Sequence, residues 1–243
     1  MTEASRYGEV WAPIYDEIHA FLDPTAAVEA LAGLARGGRA LELGIGTGRV
    51  ALPLAARGIE VHGIEISEPM VARLRGKAGG AAIPIVIGDF TEARADGEFA
   101  LVYVVFSSLF GVLTQAGQVA AVRNATAHLA PDGVFVVEAF VPDPTRFDRQ
   151  QRVQVNRIES ARVDVLVSRH DPVAQHVTSQ HVVVRLGGIE LYPVEIRYAW
   201  PSELDLMAQL AGLRLRERWA DWRGAPFTAT SPMHVSIYER GGS

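Results

Sequence analysis

A cluster of three glycines, Gly44-Ile45-Gly46-Thr47-Gly48, follows the short apolar run from Arg39 to Leu43. Glycine lacks a Cβ, so a ligand can approach the backbone closely, and a helix starting just beyond offers N–H groups without intrahelical partners. Two carboxylates recur at matching places. Glu65 lies 21 residues after Gly44, at the end of the next apolar run, and Asp89 closes the run after that. If these runs are strands of an open α/β sheet, all three features line the crevice outside the strand ends. A carboxylate at the second position is placed to accept hydrogen bonds from two ribose hydroxyls. Glycines after a strand are often only turn formers, and a single acid at a strand end is usually just solvated. The three together, correctly spaced, point to a ligand.

Two ligand classes suit such a site: a dinucleotide, or the adenosyl amino acid S-adenosylmethionine. The dinucleotide fingerprint G-x-G-x-x-G/A needs a small third residue so that helix and strand pack closely. Arg49 occupies that position, which places a nicotinamide-dependent oxidoreductase second.

The elements that must hold these residues are legible from periodicity. Apolar spacing predicts a helix from Leu22 to Ala35, stopped by Gly37-Gly38, then strands over Arg39–Leu43, Ile59–Ile66, Ile83–Ile87, Ala100–Val105 and Val134–Ala139. Between them lie helical stretches, Arg49–Ala56 and Gln115–Leu129, and a helix start at Ser67-Glu68-Pro69 with an N-cap hydroxyl and an early proline. Pro53 falls inside the first of these, where it would cost about 3 kcal/mol unless the first turn is distorted. Pro131-Asp132-Gly133 reads as a turn. Alternating strands and helices imply a parallel sheet with right-handed crossovers.

After Phe140 only strand periodicity remains. Arg162–Ser168 reads as an antiparallel strand, and Gly187-Gly188 as a hairpin turn joining His181–Leu186 to the stretch in which Val194, Ile196, Tyr198 and Trp200 share a face. A helix over Ser202–Ala211, ended by Gly212, and strands over Leu213–Trp219 and His234–Tyr238 complete the main sheet. The expected architecture is α/β: a Rossmann-like, doubly wound, mostly parallel seven-stranded sheet with an antiparallel β-meander insertion. Residues 1–150 and 201–243 form the core, and 151–200 form an insertion serving as lid or dimerisation surface.

Composition excludes several functions. The 243 residues include no cysteine, which removes thiolate catalysis, Cys-type zinc sites and redox motifs. The formal charge is −5, with no basic cluster, so nucleic acid is not an expected partner. No apolar run approaches the roughly 20 residues needed to span a bilayer, and the first residues lack a signal-peptide pattern. A cytoplasmic protein without membrane partners is expected.

From Tyr15 to Phe140 the chain resembles a class I S-adenosylmethionine-dependent methyltransferase. Leu41 to Gly48 resembles the family's glycine motif, Ile64-Glu65-Ile66-Ser67-Glu68-Pro69-Met70 its second motif, and Gly88-Asp89-Phe90 its third. The resemblance implies that Gly44 and Gly46 contact the cofactor's amino-acid portion and Glu65 its ribose diol. It also implies that Ile66 packs beside the adenine, Asp89 accepts from the adenine amino group, and the Phe90 backbone lies near the ring. A narrower resemblance, to natural-product and amino-sugar N,N-dimethyltransferases, rests on Tyr15-Asp16, on Phe106-Ser107-Ser108-Leu109 and on the late antiparallel insertion. It implies that Tyr15 approaches the cofactor carboxylate and that the Val105 and Phe106 backbone lies near its amino group. The chain departs from that group where Phe110-Gly111 replaces a commonly found histidine.

Methyl transfer from a sulfonium is an in-line displacement with a good leaving group, so alignment is the enzyme's main task. A neutral amine needs no strong base, whereas a hydroxyl profits from one. His62 and His128 read as structural. His170, His176 and His181 lie in the meander without metal-ligand spacing, so no metal is expected. His19, one helical turn after Tyr15, and His234, opening the last strand, are the two candidates for a base. Phe106 and Phe140, at strand ends, are candidate walls of the acceptor pocket. The expected reaction moves a methyl group from S-adenosylmethionine to a nitrogen or oxygen of a small molecule, leaving S-adenosylhomocysteine. A homodimer through the meander is expected as a possible assembly. The alternatives are the oxidoreductase above and a non-catalytic S-adenosylmethionine-binding assembly protein.

Overall fold

The computed structural model describes residues 3–241, and the side chains of 7–241. Three helices lead in: α1 (Glu3–Trp11), α2 (Tyr15–Ile18) and α3 (Thr25–Ala35). The first two fall in a segment without a clear helical pattern, and the predicted Leu22 start moves to Thr25 because Pro24 precedes it. Five strands then alternate with helices: β1 (Ala40–Leu43), β2 (Val61–Glu65), β3 (Ile85–Ile87), β4 (Phe99–Val104) and β5 (Leu129–Phe140), with α4 (Ala51–Ala56), α5 (Glu68–Arg75) and α6 (Gln115–His128) between them. β6 (Gln151–Glu159), β7 (Arg162–Asp171), β8 (His176–Arg185) and β9 (Gly188–Arg197) form a separate antiparallel sheet. α7 (Pro201–Leu210), β10 (Leu213–Trp219) and β11 (Met233–Arg240) close the chain.

The main sheet has seven strands in the order β10-β11-β5-β4-β1-β2-β3. β3, β2, β1, β4 and β5 pair in parallel, and β11 runs antiparallel between β5 and β10. Strand order reverses between β1 and β4, the place where an α/β sheet opens a ligand crevice. One face packs Val102, Val104, Phe135 and Val137 beneath α6 and α7; the other packs Leu101, Tyr103, Val134 and Val136 beneath α3 and α4. Strands covered on both faces account for the continuous apolar runs.

Four local readings are revised. Pro53 sits in the first turn of α4, which starts at Ala51 rather than Arg49. Its missing N–H is one that few partners would have met there, so the feared penalty largely disappears. Pro131-Asp132-Gly133 does not separate helix from strand. β5 starts at Leu129, directly after α6, and these residues bulge outward as the register jumps from Phe99↔Leu129 to Leu101↔Val134. In the second sheet, β6 was not foreseen, because its apolar residues Val153, Val155 and Ile158 are all exposed. β9 also ends at Arg197, so Tyr198 and Trp200 lie beyond the strand rather than on its face.

The end of β9 is locked to the main body by Arg197. Its guanidinium donates to Glu203 Oε1 at 2.7 Å, to Gln118 Oε1 at 2.7 Å and to Gln175 Oε1 at 2.9 Å, and its carbonyl accepts from Gln118 Nε2 at 2.7 Å. The second sheet also grips the leading helices. Trp11 Nε1 donates to the Pro193 carbonyl at 2.9 Å, and Arg162, itself paired bidentately with Asp164, reaches Glu17 at 3.0 Å.

Candidate active site

The glycine loop follows β1 and is shaped by backbone that side chains rarely adopt: Gly44 and Gly46 have φ of 73° and 56°. A Cβ on Gly46 would meet nothing nearer than 3.9 Å, so the loop faces open space. Glu65, buried at the end of β2, reaches across to this loop. Its Oε2 accepts the Gly46 N–H and its Oε1 the Ser67 N–H, each at 2.9 Å. Burial raises its pKa, and the N–H donors of Ser67, Gly46 and Ile66 hold that rise back. Each oxygen retains a lone pair for a further donor. Asp89 is half-buried past β3, with Oδ1 accepting the Thr91 N–H at 2.8 Å; Ile66 and Phe90 are half-buried beside the same strand ends.

Beneath the loop lies Glu42, fully enclosed on β1, accepting a hydrogen bond from the Tyr103 hydroxyl at 2.9 Å. Burial pushes its pKa up to about 8, against the pull of the Tyr103 hydrogen bond and the Arg49 charge.

Helix α2 closes the loop from above. Asp16 accepts from Thr47 Oγ1 at 2.6 Å and pairs with Lys77 at 2.8 Å, and Lys77 also donates to the Thr47 carbonyl at 2.8 Å. Burial alone would raise the Asp16 pKa, but the hydrogen bonds from Lys77 and Thr47, with the Lys77 and Arg73 charges, carry it below the usual value. Asp16, His19, Ala20, Leu22, Arg49 and Lys77 line a cavity of about 280 Å³ beside the loop.

Tyr15 and His19 bring α2 to the crevice. Their rings are 4.3 Å apart, and His19 meets Phe106 edge-on at 5.2 Å. The Arg49 guanidinium lies 4.9 Å from the Phe106 ring centre and has no ion-pair partner among the described residues. Burial raises the Tyr15 pKa, with Arg49 opposing. His19 Nδ1 is 2.9 Å from the Tyr15 carbonyl. A carbonyl only accepts, so Nδ1 carries the proton and Nε2 of the neutral ring keeps its lone pair. Burial lowers the His19 pKa, so the ring is neutral at physiological pH.

At the end of β4, Phe106 and Ser107 both take left-handed backbone, with φ of 55° and 58°. For residues bearing a Cβ this costs about 1–2 kcal/mol each, and such strain gathers at functional sites. The Val105 carbonyl is already used by Ser108 N–H and Oγ at 3.1 and 2.8 Å. The Phe106 carbonyl accepts no hydrogen bond among the described residues, and the Phe106 ring is 39% exposed.

The chain can therefore be set beside known proteins with its crevice defined. A family described as a methyltransferase domain matches residues 40–133. The CcbJ methyltransferase of Streptomyces caelestis superposes with a TM-score of 0.92 at 38% identity, over 100% of both chains. The chain belongs to the class I S-adenosylmethionine-dependent methyltransferases. The putative methyltransferase YqeM of Bacillus subtilis is 30% identical over 175 residues, 66% of this chain and 70% of that protein. The cypemycin N-terminal methyltransferase of a Streptomyces species is 27% identical over 246 residues, 99% of this chain and 100% of that one. Membership of the methyltransferases makes the chain an enzyme with S-adenosylmethionine as methyl donor. The oxidoreductase and the non-catalytic binder are thereby set aside.

Of the residues singled out in the sequence, Tyr15, His19, Gly44, Gly46, Glu65, Val105 and Phe106 converge on one crevice, with Ile66, Asp89 and Phe90 along its β2–β3 side. His234 does not join them. It stands on β11 opposite Ala139, fully buried, with Nδ1 2.8 Å from Ser236 Oγ and Phe227 against its ring. Burial depresses its pKa to about 4. Sequence reasoning missed Asp16 and Lys77 as clamps, Arg49 as a crevice cation, and Glu138, which reaches the Phe106 turn from β5. Glu138 did leave a signal: it is the one charge in the apolar run Val134 to Phe140.

Proposed function

We propose that this methyltransferase methylates an amine nitrogen of a small-molecule acceptor that arrives as an ammonium, and that His19 takes its proton and so frees the lone pair that a neutral amine would already have. The observation that carries the reading is the His19 tautomer: neutral, fixed by the Tyr15 carbonyl, with Nε2 unprotonated at a crevice wall formed with Phe106. A relative named for N-terminal methylation supports nitrogen as the target.

The residues fit the donor. Open space over Gly46, beside Gly44, takes its amino-acid portion, and the Phe106 carbonyl, rather than the occupied Val105 carbonyl, accepts from its amino group. Tyr15 and the unpaired Arg49 face its carboxylate. Glu65 offers lone pairs to the ribose diol while its existing bonds hold the loop, Ile66 flanks the adenine, and Asp89 with the Phe90 backbone meets its polar edge. The donor supplies an electrophilic methyl on sulfur. The nitrogen lone pair forms the new C–N bond as the C–S bond breaks, its electrons staying on sulfur in S-adenosylhomocysteine. Before that attack the ammonium proton passes to His19 Nε2, since only the free amine carries the lone pair.

The division into a core of residues 1–150 and 201–243 and an insertion of 151–200 belongs to the same proposal. The insertion grips α1 and α2 and so acts as their lid, while its outer face receives a second copy of the chain. Among the described residues no helix is long and apolar enough to cross a membrane. With a net charge of −5 and no basic cluster, we place the enzyme in the cytoplasm without nucleic-acid partners.

Calorimetric titration with S-adenosylhomocysteine tests the donor site: Glu65→Ala should weaken binding at least tenfold, about 1.4 kcal/mol or more. A panel of amines and phenols, followed by mass spectrometry, tests the acceptor. His19→Ala should retain donor affinity while lowering amine turnover roughly a hundredfold. Methylation of phenols alone, or full turnover by His19→Ala, would overturn the assignment.

A further inference from the structure

The strained turn at Phe106 and Ser107 is held from one place, the end of β5. Glu138 Oε2 accepts the Phe106 N–H at 2.8 Å, the Glu138 carbonyl accepts the Ser107 N–H at 3.1 Å, and the Phe140 N–H donates to Ser107 Oγ at 3.2 Å. The last two contacts survive any substitution of the Glu138 side chain. The first does not, and it is the one that fixes the Phe106 amide. A carboxylate is also a stronger acceptor for an N–H than a neutral oxygen.

Glu138 has no ion-pair partner and no other side-chain hydrogen bond among the described residues. Its side chain is thus not needed to neutralise a neighbour. Its one hydrogen bond is with a residue whose φ of 55° few phenylalanines adopt. That backbone angle sends the Phe106 ring out of the sheet, to stand between the Arg49 guanidinium and the edge of His19. The same turn leaves the Phe106 carbonyl unused while Ser108 takes the Val105 carbonyl.

We infer that Glu138 is a positioning residue for methyl transfer: its carboxylate holds the left-handed Phe106 turn, and so sets both the Phe106 ring against His19 and the free carbonyl beside the donor. The inference rests on the proposed roles of Phe106 and His19. Its structural half can be read without any acceptor.

Amide hydrogen exchange of Phe106, followed by NMR, should be roughly tenfold faster in Glu138→Ala and close to wild type in Glu138→Gln, whose amide oxygen still accepts. Affinity for S-adenosylhomocysteine should fall about fivefold in Glu138→Ala and be largely restored in Glu138→Gln. Glycine takes positive φ without penalty. In a Phe106→Gly background, Glu138→Ala should therefore lower the Tm much less than it does in the wild type, which keeps the test valid if the single variant is unstable. Unchanged Phe106 exchange in Glu138→Ala, or equal Tm losses in the two backgrounds, would overturn the inference. So would a Glu138→Gln variant that loses donor affinity while its Phe106 amide stays protected. Failure of His19→Ala to affect turnover would instead strike the proposed base and leave these readings intact.

Discussion

At the scale of the residue, the crevice is built from carboxylates in three different electrical situations. Asp16 is held charged by Lys77 and Thr47, Glu65 is buried but satisfied by N–H donors, and Glu42 is buried with one hydroxyl donor. Burial lifts the Glu42 pKa to about 8. Folding therefore favours its protonated form. The associated stability is fully present below the unfolded carboxyl value and is lost as pH rises through about 8. Glu42→Gln removes that dependence while leaving an oxygen for the Tyr103 hydroxyl. Between pH 5 and 8 the donor-free wild type should lose several degrees of Tm relative to Glu42→Gln. Parallel Tm curves across that range would show that Glu42 is already ionised in the folded protein.

At the scale of the element, α2 is tied to the glycine loop through Asp16 and Thr47, and α1 packs beside it on α5 and β9. Gly8 lets α1 lie directly on the start of α5: an added Cβ would stand 2.0 Å from Ser67 Oγ and 2.2 Å from Ser67 Cβ. Ser67 is too short to swing aside, and its hydroxyl already caps α5 by accepting the Met70 N–H at 3.3 Å. Gly8→Ala should therefore lift α1 and loosen α2 behind it, weakening S-adenosylhomocysteine binding about tenfold and lowering the Tm, because buried Trp11 moves with α1. Calorimetry beside thermal unfolding checks this, and unchanged affinity would mean that α1 does not control the site. Arg197 works on stability. Arg197→Ala leaves half-buried Glu203 with only its Gln115 and Gln175 donors, a loss of about 1.5–3 kcal/mol, visible as a lower urea midpoint. The sequence made much of the core sheet legible, because strands buried on both faces read as apolar runs and Gly44, Glu65 and Asp89 sit at their ends. It hid α1, α2 and β6, whose apolar residues meet partners far along the chain or none. Glu138 and Phe106 are 32 residues apart, and no local pattern announces a contact of that kind.

At the scale of the whole molecule, the two faces of the second sheet have different surroundings. Its inner face carries Val183, Tyr192 and Val194 onto the cluster around Trp11, and Arg162 onto Glu17 of α2. Its outer face exposes Val153, Val155, Val167, Val184, Ile189 and Leu191. The register sets Val153 opposite Val167 and Val184 opposite Ile189, so these residues form a continuous surface rather than scattered side chains. Monomeric proteins seldom leave so broad an aliphatic surface in water, and a sheet face packing on its own copy gives a closed, self-complementary interface. Because side chains alternate across a strand, charge can be placed on one face without touching the other. Val184→Lys combined with Leu191→Lys should convert a dimer to a monomer in size-exclusion chromatography with light scattering, while donor affinity measured by calorimetry stays within about twofold. A wild-type chain that runs as a monomer at micromolar concentration would remove the second copy from the proposal. Loss of donor affinity on dissociation would show instead that the second sheet holds α2 in place only when its outer face is covered.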